Sequence, residues 1–213
     1  MPRILILLVM LASRAGAGAW PVPEGHGQLS FSIEGERGDG TGPYTTLYTE
    51  LGLPGQRTVG VDLGLADRDA DKAVAFLRWH KGGDDWQDTL TAYEFGIGMV
   101  DEKAALRPAL SLGRPVLFGD IYGWVALDTR GILFDDLETR IEADLTIGGG
   151  IGNGDKWLVQ VQMAEPSEGD FYAKLAPSYA FEQAEGRHLL MGVTAGIAGF
   201  DDIKLSLGLW QKF

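Results

Sequence analysis

Apolar residues return at every second position in segment after segment of this chain, from Leu29 to Phe213. The last segment carries the pattern most fully. Ile203, Leu205, Leu207, Leu209 and Phe213 share one parity, while Lys204, Ser206, Gly208, Trp210 and Lys212 share the other. Successive side chains of a strand point to opposite faces, so a period of two predicts a strand with one oily and one polar face. Val59, Val61, Leu63 and Leu65 against Gly60, Asp62 and Gly64 repeat the pattern. So do Tyr93, Phe95, Ile97 and Met99 against Ala92, Glu94, Gly96 and Gly98.

The remaining segments follow in order. Leu29, Phe31 and Ile33 lead the first, and Leu47, Leu51 and Leu53 the second. Leu77 and Trp79 mark a weaker fourth, and Leu106, Leu110 and Leu112 a weaker sixth. Ile121, Val125 and Leu127 mark the seventh, Ile141, Leu145 and Ile147 the eighth, and Trp157 to Met163 the ninth. Phe171 to Phe181 and Leu189 to Ile197 precede the closing strand. That makes twelve strands, or ten if the fourth and sixth segments are loops. Turn signals separate them, among them Gly38-Asp39-Gly40, Pro54-Gly55, Asp67 to Asp71, Gly82 to Asp85, Asp101-Glu102, Gly113 to Gly119, Gly148 to Gly154, Glu165 to Gly169, Glu185-Gly186 and Asp201-Asp202.

The apolar face of nearly every segment is free of charge. The other face carries Glu34, Glu50, Asp62, Arg78, Glu94, Arg107, Asp128, Arg140, Glu142, Asp144, Lys174 and Glu182. Two architectures accommodate that alternation. In a secreted sandwich the charged faces meet water and the oily faces form the core. In an up-and-down antiparallel transmembrane β-barrel the oily faces meet lipid and the charged side chains line the interior.

Three features favour the barrel. Residues 1–19 read as an export leader: Arg3 supplies the positive start, Ile4 to Ala12 the apolar core, and Ala17-Gly18-Ala19 an A-x-A cutting site before Trp20. That core is too short to span a bilayer as a helix, which takes about 20 residues, so residues 20–213 must cross as a closed barrel if they cross at all. Aromatics near segment ends, Trp79, Tyr93, Trp157 and Phe171, suit an interfacial girdle. The third feature is the final phenylalanine. A closing strand ending on Phe213 resembles that of bacterial outer-membrane β-barrels, although Gln211 stands where the usual pattern has a further aromatic. The resemblance is to the porin-like group, and it implies the outer membrane as location, outer-membrane lipid as surroundings and the barrel assembly machinery as a partner recognising the strand that ends at Phe213. Glu50 to Leu53 with Arg57 to Val61 is also similar to strand–turn–strand pieces of small barrels assigned to the transport of aromatic catabolites, from which no functional residue carries over.

Composition removes several chemistries. The 213 residues include no cysteine, which excludes disulfides, thiolate metal sites and a lipid anchor on cysteine. A net charge of −12 without a basic stripe excludes nucleic acid as a partner. Asp67, Asp69 and Asp71 begin like a calcium loop, but Lys72 and Arg78 occupy the positions that require glycine and glutamate; a solvated turn is expected, with weak calcium binding as the alternative. Gly148 to Asp155 matches no phosphate-binding register and is read as a glycine turn. No cofactor, metal or catalytic site is expected. A Ser–His pair meeting across strands, Ser206 with His188, is the one route to a lipid-acting enzyme left open. Glu94 with Arg107, and Arg140 between Glu138 and Glu142, are expected to form ion pairs that line or fill the interior. The reading is a narrow pore for small solutes, cation-preferring through its acidic excess, with a non-conducting structural barrel as the alternative.

Overall fold

The computed structural model describes residues 18–36, 42–66, 69–83, 85, 88–199 and 202–213. The leader up to Ala17, the Gly38-Asp39-Gly40 turn, Asp67, Asp84 and Asp201 lie outside the described residues. Twelve antiparallel strands form one closed barrel in which each strand pairs with its sequence neighbours and the first pairs with the last. They are β1 (Gly27–Glu36), β2 (Tyr44–Leu53), β3 (Arg57–Ala66), β4 (Asp69–Lys81), β5 (Leu90–Val100), β6 (Lys103–Phe118), β7 (Ile121–Phe134), β8 (Thr139–Gly150), β9 (Lys156–Pro166), β10 (Tyr172–Ala184), β11 (Arg187–Ala198) and β12 (Ile203–Lys212). The segments at Leu77 and Leu106 are therefore full strands, and the count is twelve rather than ten. Closure is made by Phe31 opposite Leu209 and by reciprocal bonds between Gly27 and Phe213, at 2.7 and 2.9 Å. A closed barrel leaves no unpaired strand edge, the condition for placing a sheet in hydrocarbon.

The direction of the two faces excludes the sandwich. Ile97, Ile203 and Leu205 are about 60% exposed on the outside, while Val74, Ala92 and Ala126 on the inner face are at 1%. Trp79 and Tyr93 are opposite each other and exposed near the end that carries both termini; Phe171 is exposed toward the far end. These aromatics stand at the two rims of the apolar belt, the positions of an interfacial girdle.

Two expected glycine turns are strand over part of their length. β6 runs through Gly113 to Phe118, leaving Gly119-Asp120 as the turn, and β8 runs on to Gly150. The glycines there answer to close packing. A Cβ at Gly113 would sit 2.6 Å from the Trp20 ring, and one at Gly148 would overlap the ring of Trp124. By contrast, Asp101 and Glu102 both take positive φ in a two-residue turn between β5 and β6, the backbone of a type I′ hairpin.

Candidate lumenal site

Six neighbouring strands bring a continuous chain of charges onto the inner wall. The Arg78 guanidinium on β4 donates to Glu50 on β2 and to Glu94 on β5, each at 2.5 Å. Gln28 on β1 donates to Glu50 from the other side at 3.0 Å. Arg107 on β6 donates to Glu94 at 3.0 Å and to Asp62 on β3 at 2.6 Å, and Lys72 reaches Asp62 at 2.8 Å. The Phe76 ring lies beneath both arginines, 4.9 Å from Arg78 and 5.7 Å from Arg107, and stacks on Tyr48. Arg78, Glu50, Glu94 and Arg107 are all buried. Desolvated charges persist only when paired and hydrogen-bonded, and this half of the wall meets that condition.

In the other half several charges remain partly accessible. Arg130 on β7 donates to Asp144 at 2.9 Å and to Glu142 at 3.4 Å on β8, with these three side chains 29%, 21% and 24% exposed. Asp128 and Asp144 occupy directly paired positions. Lys174 continues that row on β10, and Glu34 on β1 accepts from Thr194 on β11 at 2.8 Å. Glu182 lies near the terminal rim opposite His188.

Glu94 and Arg107 pair as the sequence suggests, whereas the expected Arg140 arrangement is only half right. Arg140 reaches Glu142 at 3.9 Å and donates to Asp101, while Glu138 pairs with Lys103 at 2.7 Å. The twelve sequence candidates fall on the inner face by register. Lys204, which the sequence puts on the polar parity, shares that face, and so do Lys72, Arg130 and Lys156, which sequence reasoning missed. Arg130 shares the parity of Asp128, but the outer residues beside it are Thr129 and Gly131, so the alternation is too weak there to be read. With these cations included, the wall has no marked acidic excess.

The residues ahead of β1 enter the same space. Ala19 is fully buried, and its carbonyl accepts from His80 Nδ1 at 3.1 Å. That bond fixes the imidazole with its proton on Nδ1, leaving Nε2 to accept from Thr58 Oγ1 at 2.9 Å. Trp20 packs against an inner cluster of Trp124, Ala126 and Leu158, which Trp210 also joins. Glu24 forms a parallel bridge with Gly52.

The catalytic alternative is not assembled. In the β11–β12 register His188 faces Trp210, and Ser206 faces Gly192, four positions along the ladder. His188 instead accepts from the buried Lys156 Nζ at 3.0 Å. Among the described residues no group of histidine, aspartate and glutamate is placed to hold a metal ion. Asp71 accepts from Tyr44 Oη at 2.9 Å.

The glycine turn between β8 and β9 is held by Asp155. Its carboxylate accepts from the Glu182 backbone N–H at 2.8 Å, from Asn153 at 2.7 Å and from Tyr179 Oη at 3.0 Å. The Glu182 N–H first, then Asn153, holds its pKa below the ordinary carboxylate value. A depressed native pKa stabilises the fold above the unfolded-state value, about 3.9, and that stabilisation is lost as pH falls through the native value. Asp155→Asn should therefore weaken urea resistance at pH 7 and remove part of its fall between about pH 5 and pH 2. Parallel urea curves for both proteins across that range would disprove the assignment.

An apolar exterior, a closed antiparallel wall and a charged interior define the porin-like outer-membrane β-barrel fold. No family model matches the chain, and no curated protein does. Solved structures match over most of the length. The chain is similar to the KdgM porin, with a TM-score of 0.65 at 10% identity over 87% of this chain and 99% of that one. It is also similar to the COG4313 outer membrane channel from Pseudomonas putida F1, with a TM-score of 0.58 at 11% identity over 94% of this chain and all of that one. At such identities the likeness is one of fold.

Proposed function

We propose that the protein is a narrow passage for small solutes across a bacterial outer membrane. One observation carries this reading: opposite the buried Arg78–Glu94–Arg107 half of the wall, Arg130, Glu142 and Asp144 keep a fifth or more of their side-chain surface accessible inside a closed barrel. Partly accessible inward charges are what a passage needs and what a fully packed interior lacks. The similarity to two channels supports it.

One mouth, rather than the wall, supports the solute class. The rim away from the termini carries Asp101, Glu102, Asp135, Asp136, Glu138, Glu168 and Asp170 against Lys103 and Arg140. A KdgM structure holds disordered oligogalacturonate; an acidic rim would repel such a polyanion and admit neutral and cationic solutes. The strand ending at Phe213 is the segment through which the assembly machinery would take up the chain.

The test is single-channel recording of refolded protein in a planar bilayer. Discrete conductance steps are expected, with a cation preference in the reversal potential at low salt that fades toward 1 M, where the screening length falls to about 3 Å. Anion preference at low salt would overturn the solute class. Silence from protein shown to be folded would overturn the passage in favour of a structural barrel.

A further inference from the structure

The segment from Gly18 to Pro23 touches the wall at β2, β4, β6, β7 and β9. Gly18 lies beside β4, β6 and β7, where a Cβ would come within 2.7 Å of Ser111 Oγ, 2.8 Å of Asp128 Oδ1 and 3.4 Å of the Arg78 guanidinium carbon. Ala19 is held by His80 on β4. Trp20 rests on Gly113 of β6 and joins side chains of β7 and β9, with Trp210 of β12 packed on the same cluster. The carbonyls of Val22 and Pro23 cover Gly52 of β2 so closely that a Cβ there would overlap them. In a twelve-stranded ring β6 and β12 are diametrically opposed. A segment in contact with β2, β6 and a cluster reaching β12 crosses the bore.

We propose that Gly18–Pro23 is a plug retained in the mature protein, because the export leader is cut after Ala17, and that it narrows the passage. Two A-x-A sites overlap here, Ala15-Gly16-Ala17 and Ala17-Gly18-Ala19. A cut after Ala19 removes the carbonyl to which the buried His80 donates and empties the space beside Ser111. A cut after Ala17 preserves both contacts and gives Gly18 an α-ammonium. That cation would stand beside Asp128, whose directly paired neighbour on β8 is another carboxylate, Asp144. Asp144 is already paired with Arg130, and the Arg78 guanidinium carbon lies 3.4 Å from the Cβ position of Gly18, so Asp128 is the carboxylate that would take the terminal charge. Pro21 and Pro23 restrict the backbone between the anchors to extended forms, which favours a strap that keeps its shape.

The effect on conductance rests on the passage reading; the seat of the plug does not, and separate measurements address them. The intact mass of protein extracted from outer membranes should correspond to a chain beginning at Gly18. The chain has no cysteine of its own, so Gly18→Cys with Ser111→Cys can form only one intramolecular disulfide, and the Gly18 position is within bridging reach of Ser111. It should form in the folded barrel and show as a mass lower by two hydrogens. Deletion of Gly18–Pro23 should raise single-channel conductance on the order of twofold or more, since the bore widens. Gly52→Val, which evicts the strap without shortening the chain, should shift it the same way. A mature terminus at Trp20, absence of the disulfide in folded protein, or equal conductance with and without the segment would each overturn the plug. If the disulfide forms but neither wild type nor deletion conducts, the seat stands and the passage falls.

Discussion

Replacing Arg78 with methionine should cost about 3–5 kcal/mol of barrel stability, the range for removing one partner of a buried ion pair. The reason is what the substitution leaves behind. Glu50 and Glu94 are both at least nine-tenths buried and share this guanidinium, and Tyr48 Oη accepts from it at 3.0 Å. Without Arg78, Glu50 retains the uncharged donors Gln28 and Tyr48 among the described residues, and Glu94 retains Arg107. The apolar side chain fills the volume but cannot compensate two desolvated carboxylates. Arg78→Met with Glu94→Gln should then be less destabilised than the sum of the two single variants, by about 0.5–3 kcal/mol. Urea midpoints of the barrel refolded into lipid vesicles measure both quantities. A loss below about 1 kcal/mol for Arg78→Met would mean that water solvates the cluster as it does a surface pair.

Gly98→Ala should be the most damaging single-methyl change in the strands. An added Cβ would overlap the Ala73 carbonyl oxygen and stand 2.8 Å from Val74 Cα, so backbone and not a rotatable side chain must move. Gly98 pairs with Val74 on β4 and Ala105 on β6, and any displacement there opens ladders on both sides. Overpacking of this kind costs about 1–3 kcal/mol and more where strands separate. The same change at Gly131 meets nothing nearer than Pro108 at 3.8 Å and should be close to neutral. The yield of folded barrel, read from its heat-modifiable gel mobility, should drop for the first variant only. Equal yields would show that the contact between β4 and β5 is loose.

The contrast between these two glycines shows where sequence reading stops. Parity places Gly98 on the inner face and Gly131 on the outer, but it does not show that the backbone of β4 lies against Gly98 while Gly131 is open. Gly113 and Gly148 mislead in the same way: they look like turn residues because glycine is enriched in turns, yet they lie in strands against Trp20 and Trp124. Whether a glycine is a hinge or a seat depends on what another strand brings to it.

The partition of charge follows the same rule. Parity alone placed Glu94 and Arg107 on the inner face, and their adjacency in sequence order made them a pair. It did not indicate that Arg78 lies between Glu50 and Glu94, or that Arg107 reaches three strands back across the wall to Asp62. Long guanidinium side chains cross several strands, and barrel curvature sets their reach. Ser206 and His188 shared neighbouring strands and still did not meet, because the ladder offset between β11 and β12 is fixed by its backbone bonds.

The period-two pattern by itself determined that this chain is a strand meander with an oily and a charged face, since backbone geometry makes parity and face the same thing. Closure of that meander, the twelve-strand count with β4 and β6 included, and the outward direction of the apolar face became definite only when β1 met β12. Residues 20–26 carry two prolines and no period-two pattern, so the sequence assigns them no place in the barrel. Only the folded barrel gives Trp20 and Ala19 their place, because the surfaces that hold them come from strands that are distant in sequence and adjoin the lumen only after closure.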